Sequence, residues 1–238
     1  KDGIWLGWYF TGDKFFRRQY KNGQKSGNWT WWYQNGQLKY RGEYIADEKD
    51  GSWTEYESDG TVLVDGIYGK GKEWEGVFNG AYFSKGKKAQ EYYEYYTDGS
   101  IKSEGLVIDD NTKIGNWTNY YNDGAKKSSG SFIDNRETGN WIYWYKSGKE
   151  EKKGTFKNGL MEGEWSGWYY TGQQFYLRTY KNGKKNGRWV WWYNDGKKKY
   201  EGNYLNDKKD GKWIEWDKKG DQITSGIYHN DVKWSGVF

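Results

Sequence analysis

The sequence predicts an all-β chain, an extended antiparallel array of β-hairpins with one hairpin per about 24 residues, running as a single repeat meander or solenoid over 1–238. Three observations predict it. Trp recurs at a fixed interval, Gly rather than Pro punctuates each interval, and the residues between the glycines are aromatic and β-branched, as suits a pleated strand. The 238 residues include 18 Trp, 24 Tyr, 9 Phe, 35 Gly and no Pro. A mean hydropathy of −1.25 would suit a disordered chain. Against that, the aromatic share is 21% and the net charge only +5, whereas disorder goes with few aromatics and unbalanced charge. Each buried ring removes roughly 150–250 Å² from water, so aromatics can build the core that aliphatics do not.

Aligned on Trp, the units begin at Trp5, Trp29, Trp53, Trp74, Trp117, Trp141, Trp165, Trp189, Trp213 and Trp234. The interval contracts before Trp74 and Trp234, and Tyr92 takes the Trp place in the gap after Trp74, so 74–91 reads as an irregular short unit. A regular unit is Gly-x-Trp, a Gly after the aromatic run, a second Gly, then an aromatic: Gly27, Trp29, Gly36, Gly42 and Tyr44, and again Gly187, Trp189, Gly196, Gly202 and Tyr204. A longer period lies over this one. Residues 1–78 and 161–238 are equivalent copies with about half their positions identical, down to Trp74-x-Gly76-Val77-Phe78 and Trp234-x-Gly236-Val237-Phe238. The second copy stops in mid-unit and the chain starts at Lys1, so a piece of a longer array is expected.

Turns are expected where Asn-Gly or Asp-Gly separates strand-like runs: Asn35-Gly36, Asp59-Gly60, Asp98-Gly99, Asp123-Gly124 and Asp195-Gly196. These read as type I′ turns, whose two central residues both need φ > 0. A second turn closes many units at Asn22-Gly23, Asn158-Gly159 and Asn182-Gly183. Two strands and two turns per unit leave no room for a helix. Turn geometry accounts for the glycines.

Strand alternation assigns columns to faces. Counting the leading Trp as position 0, positions 0, 2 and 4 should share one face and 1 and 3 the other. Position 0, with Tyr20, Tyr44, Phe132, Phe156 and Tyr204, is the expected core. Position 3 is aromatic in the regular units, as at Trp32, Trp144 and Trp192. Position 2 swings between Gly, Trp and Glu, which points to exposure, and its large members Trp31, Tyr143 and Trp191 would be solvent-facing platforms. The expected binding surface is therefore Trp31, Trp32, Tyr143, Trp144, Trp191 and Trp192, since exposed aromatic patches mark interaction sites.

The run Gly187-x-Trp189-x-x-Trp192-Tyr193-x-x-Gly196, followed by Tyr200-x-Gly202-x-Tyr204 and Lys209-Asp210-Gly211, resembles the bacterial MORN-repeat variant of the YwqK-type antitoxin-like family. The resemblance implies a hairpin array and a binding or scaffolding role, with an antitoxin or immunity role attached to the family label. The Tyr-x-Gly-x-Trp order of the membrane-associated eukaryotic form differs, so lipid binding is not expected. Trp165-x-x-Trp168-Tyr169-Tyr170-Thr171-Gly172 also resembles glycan-binding repeats of bacterial surface proteins.

Chemistry is sparse. Without Cys there is neither disulfide nor thiolate site, and His229 is the only His. No P-loop, dinucleotide fingerprint, nucleophile elbow or calcium loop occurs, and no cofactor or metal site is expected. Paired carboxylates for glycoside hydrolysis need a cleft that an extended array does not supply. The expectation is a non-enzymatic scaffold that binds a protein partner or itself, with a glycan as the alternative. Lysines are interspersed with acids, which suits a solvated face rather than a nucleic-acid footprint.

Overall fold

The computed structural model describes residues 1–237, so the expected copy of Phe78 at Phe238 lies outside the described residues. Apart from one 3₁₀ turn, Asp109–Asn111, the regular structure is antiparallel β. Two compact units divide the chain, Lys1–Gln90 and a second from Glu91 onward. The first is one sheet built from β1 (Gly3–Trp8), β2 (Lys14–Lys21), β3 (Gln24–Lys25), β4 (Gly27–Trp32), β5 (Leu38–Ile45), β6 (Glu48–Tyr56), β7 (Val62–Gly69), β8 (Lys72–Phe78), β9 (Ala81–Ser84) and β10 (Lys87–Lys88). Strands follow in chain order, except that β3 and β4 both pair with β2.

The second sheet continues the pattern in strict chain order. Its strands are β11 (Gln90–Tyr95), β12 (Ile101–Ile108), β13 (Thr112–Tyr120), β14 (Lys126–Ile133), β15 (Arg136–Trp144), β16 (Glu150–Lys157), β17 (Leu160–Trp168), β18 (Gln174–Lys181), β19 (Lys184–Trp192), β20 (Lys198–Leu205), β21 (Lys208–Trp216), β22 (Gln222–His229) and β23 (Val232–Val237). Each repeat adds two strands, so equivalent residues recur about every 10 Å across the sheet.

The two kinds of turn differ. At Asn22-Gly23, Asn158-Gly159 and Asn182-Gly183 both residues have positive φ, as a type I′ hairpin demands. Asn206-Asp207 and Asn230-Asp231 adopt the same geometry without Gly. At Asn35-Gly36, Asp59-Gly60, Asp98-Gly99, Asp123-Gly124 and Asp195-Gly196 only the Gly is left-handed. The type I′ expectation fails there. These are three-residue loops, closed by pairs such as Tyr33 N–H to Gln37 O and Gly36 N–H to Tyr33 O. The acidic or amide residue precedes Gly for a second reason. Its side-chain oxygen accepts the backbone N–H two residues on, as in Asp59 to Thr61 at 2.8 Å and Asp98 to Ser100 at 2.9 Å.

The core is a ladder of rings. Trp29, Trp53, Trp117, Trp141, Trp165, Trp189 and Trp213 are buried, the most open of them, Trp213, at 7% exposure. Each indole from Trp53 onward, except Trp189, covers a mid-strand Gly on the preceding strand: Gly42 under Trp53, Gly105 under Trp117, Gly130 under Trp141, Gly154 under Trp165 and Gly202 under Trp213. A Cβ on any of these would meet the ring at 2.1–2.4 Å. Turn geometry thus does not explain the second Gly of the repeat; close approach of an indole does. Six indoles also donate Nε1–H to a backbone carbonyl of the preceding strand, for example Trp29 to Gln19 O at 2.9 Å and Trp189 to Thr179 O at 3.0 Å.

Between the indoles stand the expected core rings. Tyr20, Trp29, Tyr44, Trp53, Tyr68 and Phe78 form an edge-to-face chain with centroids 5.0–6.0 Å apart. Trp117, Phe132, Trp141, Phe156 and Trp165 repeat it in the second unit. Each such contact is worth about 0.5–1.5 kcal/mol beyond area burial. Trp74 does not belong to the column. It is half exposed, and Phe78 takes the buried place with its ring over Gly66. Trp234, on β23, is also exposed. The contracted intervals before these two residues, 21 residues instead of 24, bring Trp into the strand three residues too early to meet a Gly.

A candidate aromatic and cationic binding face

Positions 0 and 2 share a face, as alternation requires. Position 2 is nevertheless not an open platform. Trp31 lies in register between Phe16 of β2 and Tyr40 of β5, and Trp191 between Tyr176 of β18 and Tyr200 of β20. The rings follow one another as tilted or near-parallel neighbours. Phe16, Trp31, Tyr40 and Trp53 are 5.5, 5.6 and 6.0 Å apart, and Tyr176, Trp191, Tyr200 and Trp213 are 5.9, 4.8 and 6.2 Å apart. Tyr143 packs between Trp141 and Trp165. Trp31, Tyr143 and Trp191 are therefore half-buried. Burial also raises the phenols, Tyr143 to about 12 and Tyr40 and Tyr200 further. A column variable in residue type is here buried by its cross-strand partners, which vary with it.

Trp32, Trp144 and Trp192 point to the opposite face, half-buried too. Their backbone carbonyls have a structural task. The position-4 tyrosine of the preceding repeat donates its hydroxyl to each: Tyr9 to Trp32 O at 2.9 Å, Tyr121 to Trp144 O at 2.9 Å and Tyr169 to Trp192 O at 2.8 Å. Position 4 lies past the strand end, and its rings Tyr9 and Tyr169 pack on Phe15 and Phe175, which in turn contact Trp31 and Trp191 of position 2. The six residues expected to form one surface thus divide three and three between the faces.

Lysines overlay the indole face in a row that the sequence reading did not isolate. The residue four before the leading Trp is Lys in most repeats, and its ammonium sits above that indole and the next ring of the ladder. Lys25 lies 5.4 Å from the Trp29 centroid and 4.7 Å from Tyr44; Lys49 lies 4.5 and 4.8 Å from Trp53 and Tyr68. Lys113, Lys185 and Lys209 repeat the arrangement. Such contacts contribute about 0.5–1 kcal/mol where exposed. The 24-residue spacing of Lys25 and Lys49, and of Lys185 and Lys209, carried the signal, though dense surrounding lysines hide it.

One exception to the Gly-under-Trp rule occurs at the same place in both copies. Where Trp29 and Trp189 would cover a Gly stand Arg18 and Arg178. The Gly has moved to Gly7 and Gly167, now covered by the rings of Phe16 and Tyr176. Each guanidinium packs against two adjacent rings, Arg18 at 3.9 Å from Phe16 and 4.2 Å from Trp31, Arg178 at 3.8 Å from Tyr176 and 4.0 Å from Trp191. The face of each unit therefore presents stacked rings, a spaced row of ammonium groups and one guanidinium packed against two rings. That combination suits adhesion to an acidic, partly apolar surface. No cluster of three or more metal-ligating side chains exists among the described residues.

Residues 25–46 and 185–206 match the family model described as "MORN repeat variant". A comparison with curated protein sequences finds no match. Among solved structures the chain is similar to "Crystal Structure of TcdB2-TccC3-Cdc42" (12% identity, TM-score 0.22) and "Crystal Structure of TcdB2-TccC3" (11%, 0.23). It is also similar to "Structure of Photorhabdus luminescens Tc holotoxin pore, Mutation TccC3-D651A" (12%, 0.24). The matches cover 94%, 98% and 95% of this chain but only 14%, 15% and 13% of those chains, so it spans about one-seventh of their length, and likeness of this degree carries no functional meaning. Both matched segments contain a complete ring-and-lysine unit, from Lys25 to Tyr44 and from Lys185 to Tyr204. Two segments, 25–46 and 185–206, are thus similar to the MORN repeat variant, within a nearly all-β hairpin array.

Proposed function

We propose that this protein is a non-enzymatic scaffold whose ring-and-lysine face docks a protein partner or a second copy of the chain. Repeats of this family are in general binding and scaffolding elements. The observation that carries the reading here is that each unit is one sheet thick. The indole face of each unit has no second layer of that unit to cover it, so its lysines and the outer parts of its half-buried rings, spaced about 10 Å apart, remain available to a contact along that unit. Repetition makes such a contact additive, since each repeat offers the same small patch.

Sedimentation velocity over a range of concentrations, with and without extract from the native source, tests this. The expected outcome is a mass that rises with concentration, or a stable stoichiometric complex. Either should be lost when Lys25, Lys49, Lys185 and Lys209 are changed to Glu. An immunity role would show as a tight equimolar complex with a single toxin. A monomer at every concentration with no partner retained would refute the reading. A Trp emission shift on adding polysaccharide, abolished by Trp31→Ala with Trp191→Ala, would replace it with glycan binding, the alternative that the ring rows favour.

A further inference from the structure

We infer that Asn79 is a site of spontaneous covalent modification, where the side-chain amide cyclises onto the Gly80 nitrogen and hydrolyses to aspartate and isoaspartate. The chain holds six Asn-Gly pairs, beginning at Asn22, Asn35, Asn79, Asn158, Asn182 and Asn186. A Gly after Asn favours the reaction, because no Cβ hinders the approach of its nitrogen. The Gly N–H first gives its proton to hydroxide, and the nitrogen attacks the Asn Cγ. The N–Cγ bond forms, the Cγ–Nδ2 bond breaks, and ammonia leaves with a proton taken from water. A second water opens the five-membered imide at either carbonyl, so a carboxylate stands where the amide stood. Reactivity therefore depends on whether the Gly N–H is free to ionise and to turn toward the side chain.

The hydrogen bonds separate the six. Ten two-residue turns have both residues at positive φ. In nine of them the second residue donates its backbone N–H to a carbonyl earlier in the chain, and in eight of these the acceptor stands 22 residues back. Gly159 to Glu137 O at 2.8 Å and Gly183 to Met161 O at 2.9 Å are examples, and Gly23 donates likewise to Lys1 O. Gly80 is the tenth. Its N–H has no acceptor among the described residues, and the Asn79 side chain has no partner either. The contracted interval before Trp74 is the cause. It brings a turn at Asn79-Gly80 between β8 and β9, and the residue 22 before Gly80, Ser58, lies in the loop after β6 rather than in a strand. Gly80 is exposed, with open space where a Cβ would stand. The remaining pairs are restrained in other ways. Asn35 holds Gln37 through both side-chain atoms, at 2.9 and 3.0 Å, while Gly36 donates to Tyr33 O. Asn186 and Gly187 lie inside β19, paired with β18 and β20.

Incubation of the full chain at mildly alkaline pH, followed by peptide mapping with mass spectrometry, reads the conversion of each Asn. Asn79 should convert first, about threefold or more ahead of Asn158 and Asn182, as expected where one hydrogen bond need not be broken. Its rate should rise with hydroxide concentration. Amide hydrogen exchange followed by NMR gives an independent reading, in which the Gly80 N–H should exchange faster than those of Gly159 and Gly183. Asn79→Gln lengthens the side chain past five-membered closure and should remove the earliest conversion without slowing the others. Conversion of Asn158 or Asn182 as fast as that of Asn79, an Asn79 rate indifferent to pH, or Gly80 exchange as slow as that of Gly159 would each overturn the inference.

Discussion

Gly130→Ala isolates the contact on which the ladder depends. Gly130 lies mid-strand in β14, its φ is not in the left-handed region, and an added Cβ would lie 2.2 Å from the Trp141 indole, about 1.2 Å inside the nearest ordinary contact. The ring cannot retreat. Trp141 is buried and held edge-to-face by Phe132 at 5.2 Å and Phe156 at 6.0 Å. Ala in place of Gly in a strand ordinarily stabilises by roughly 0.5–1 kcal/mol. Overpacking of a well-filled site costs about 1–3 kcal/mol. With so deep an overlap the second effect wins, and a net loss of about 2 kcal/mol is expected in urea denaturation. In the background Trp141→Leu, whose side chain leaves the space above Gly130 free, the same Gly130→Ala change should be neutral or stabilising. A neutral or stabilising Gly130→Ala with Trp141 in place would refute the claim that the strand glycines exist to admit the indoles.

Tyr145→Phe removes the hydroxyl that donates to Trp168 O at 2.8 Å and should cost about 1 kcal/mol, with hydrogen exchange accelerated only in adjoining hairpins. The turn carboxylates of Asp59, Asp98 and Asp123 are held below the ordinary value of 3.8, chiefly by hydrogen bonds from Thr61, Ser100 and Ala125. A lowered folded-state pKa gives stability that is complete above 3.8 and lost as pH falls through the lowered value. The triple change to Asn, which keeps the accepting oxygen, should match the parent at neutral pH and lose less stability in acid, read as urea midpoints. Burial pushes Tyr68 and Tyr143 up to about 12. Their contribution is full below the ordinary 10 and drains as pH rises from 10 toward 12, so phenolate absorbance should appear in step with loss of near-ultraviolet dichroism.

The beat of Trp and Gly made the hairpin array legible, because one repeat fixes strand, turn and interval together. Tyr20, Tyr44, Phe132, Phe156 and Tyr204 could be assigned to packing from their place before the second turn, and all five contact a leading indole. What the beat hides is cross-strand identity. Gly42 and Gly36 look alike in sequence, yet one lies beneath Trp53 and the other makes a loop. Asn35-Gly36 and Asn22-Gly23 are the same dipeptide in different turns, because loop length, set by where the strands re-pair, decides the type. The binding surface suffered most. Variation at Trp31, Tyr143 and Trp191 suggested exposure, but their partners Phe16, Ser128 and Tyr176 vary too, and burial is a property of the pair. Arg18 and Arg178 could have been found from sequence, as the two places where the Gly before a leading Trp is missing and one appears at Gly7 and Gly167 instead.

Hydrogen exchange at the indole Nε1–H groups, followed by NMR in the intact chain, tests the stacked-ring architecture most directly. Trp29, Trp53, Trp117, Trp165, Trp189 and Trp213 donate to backbone carbonyls and should exchange slowly as one class. Trp74 and Trp234, half exposed or more, should exchange at near-solvent rates. Uniformly fast exchange, or protection of Trp74 and Trp234 alongside the other six, would contradict a ladder of buried indoles bonded to the preceding strand.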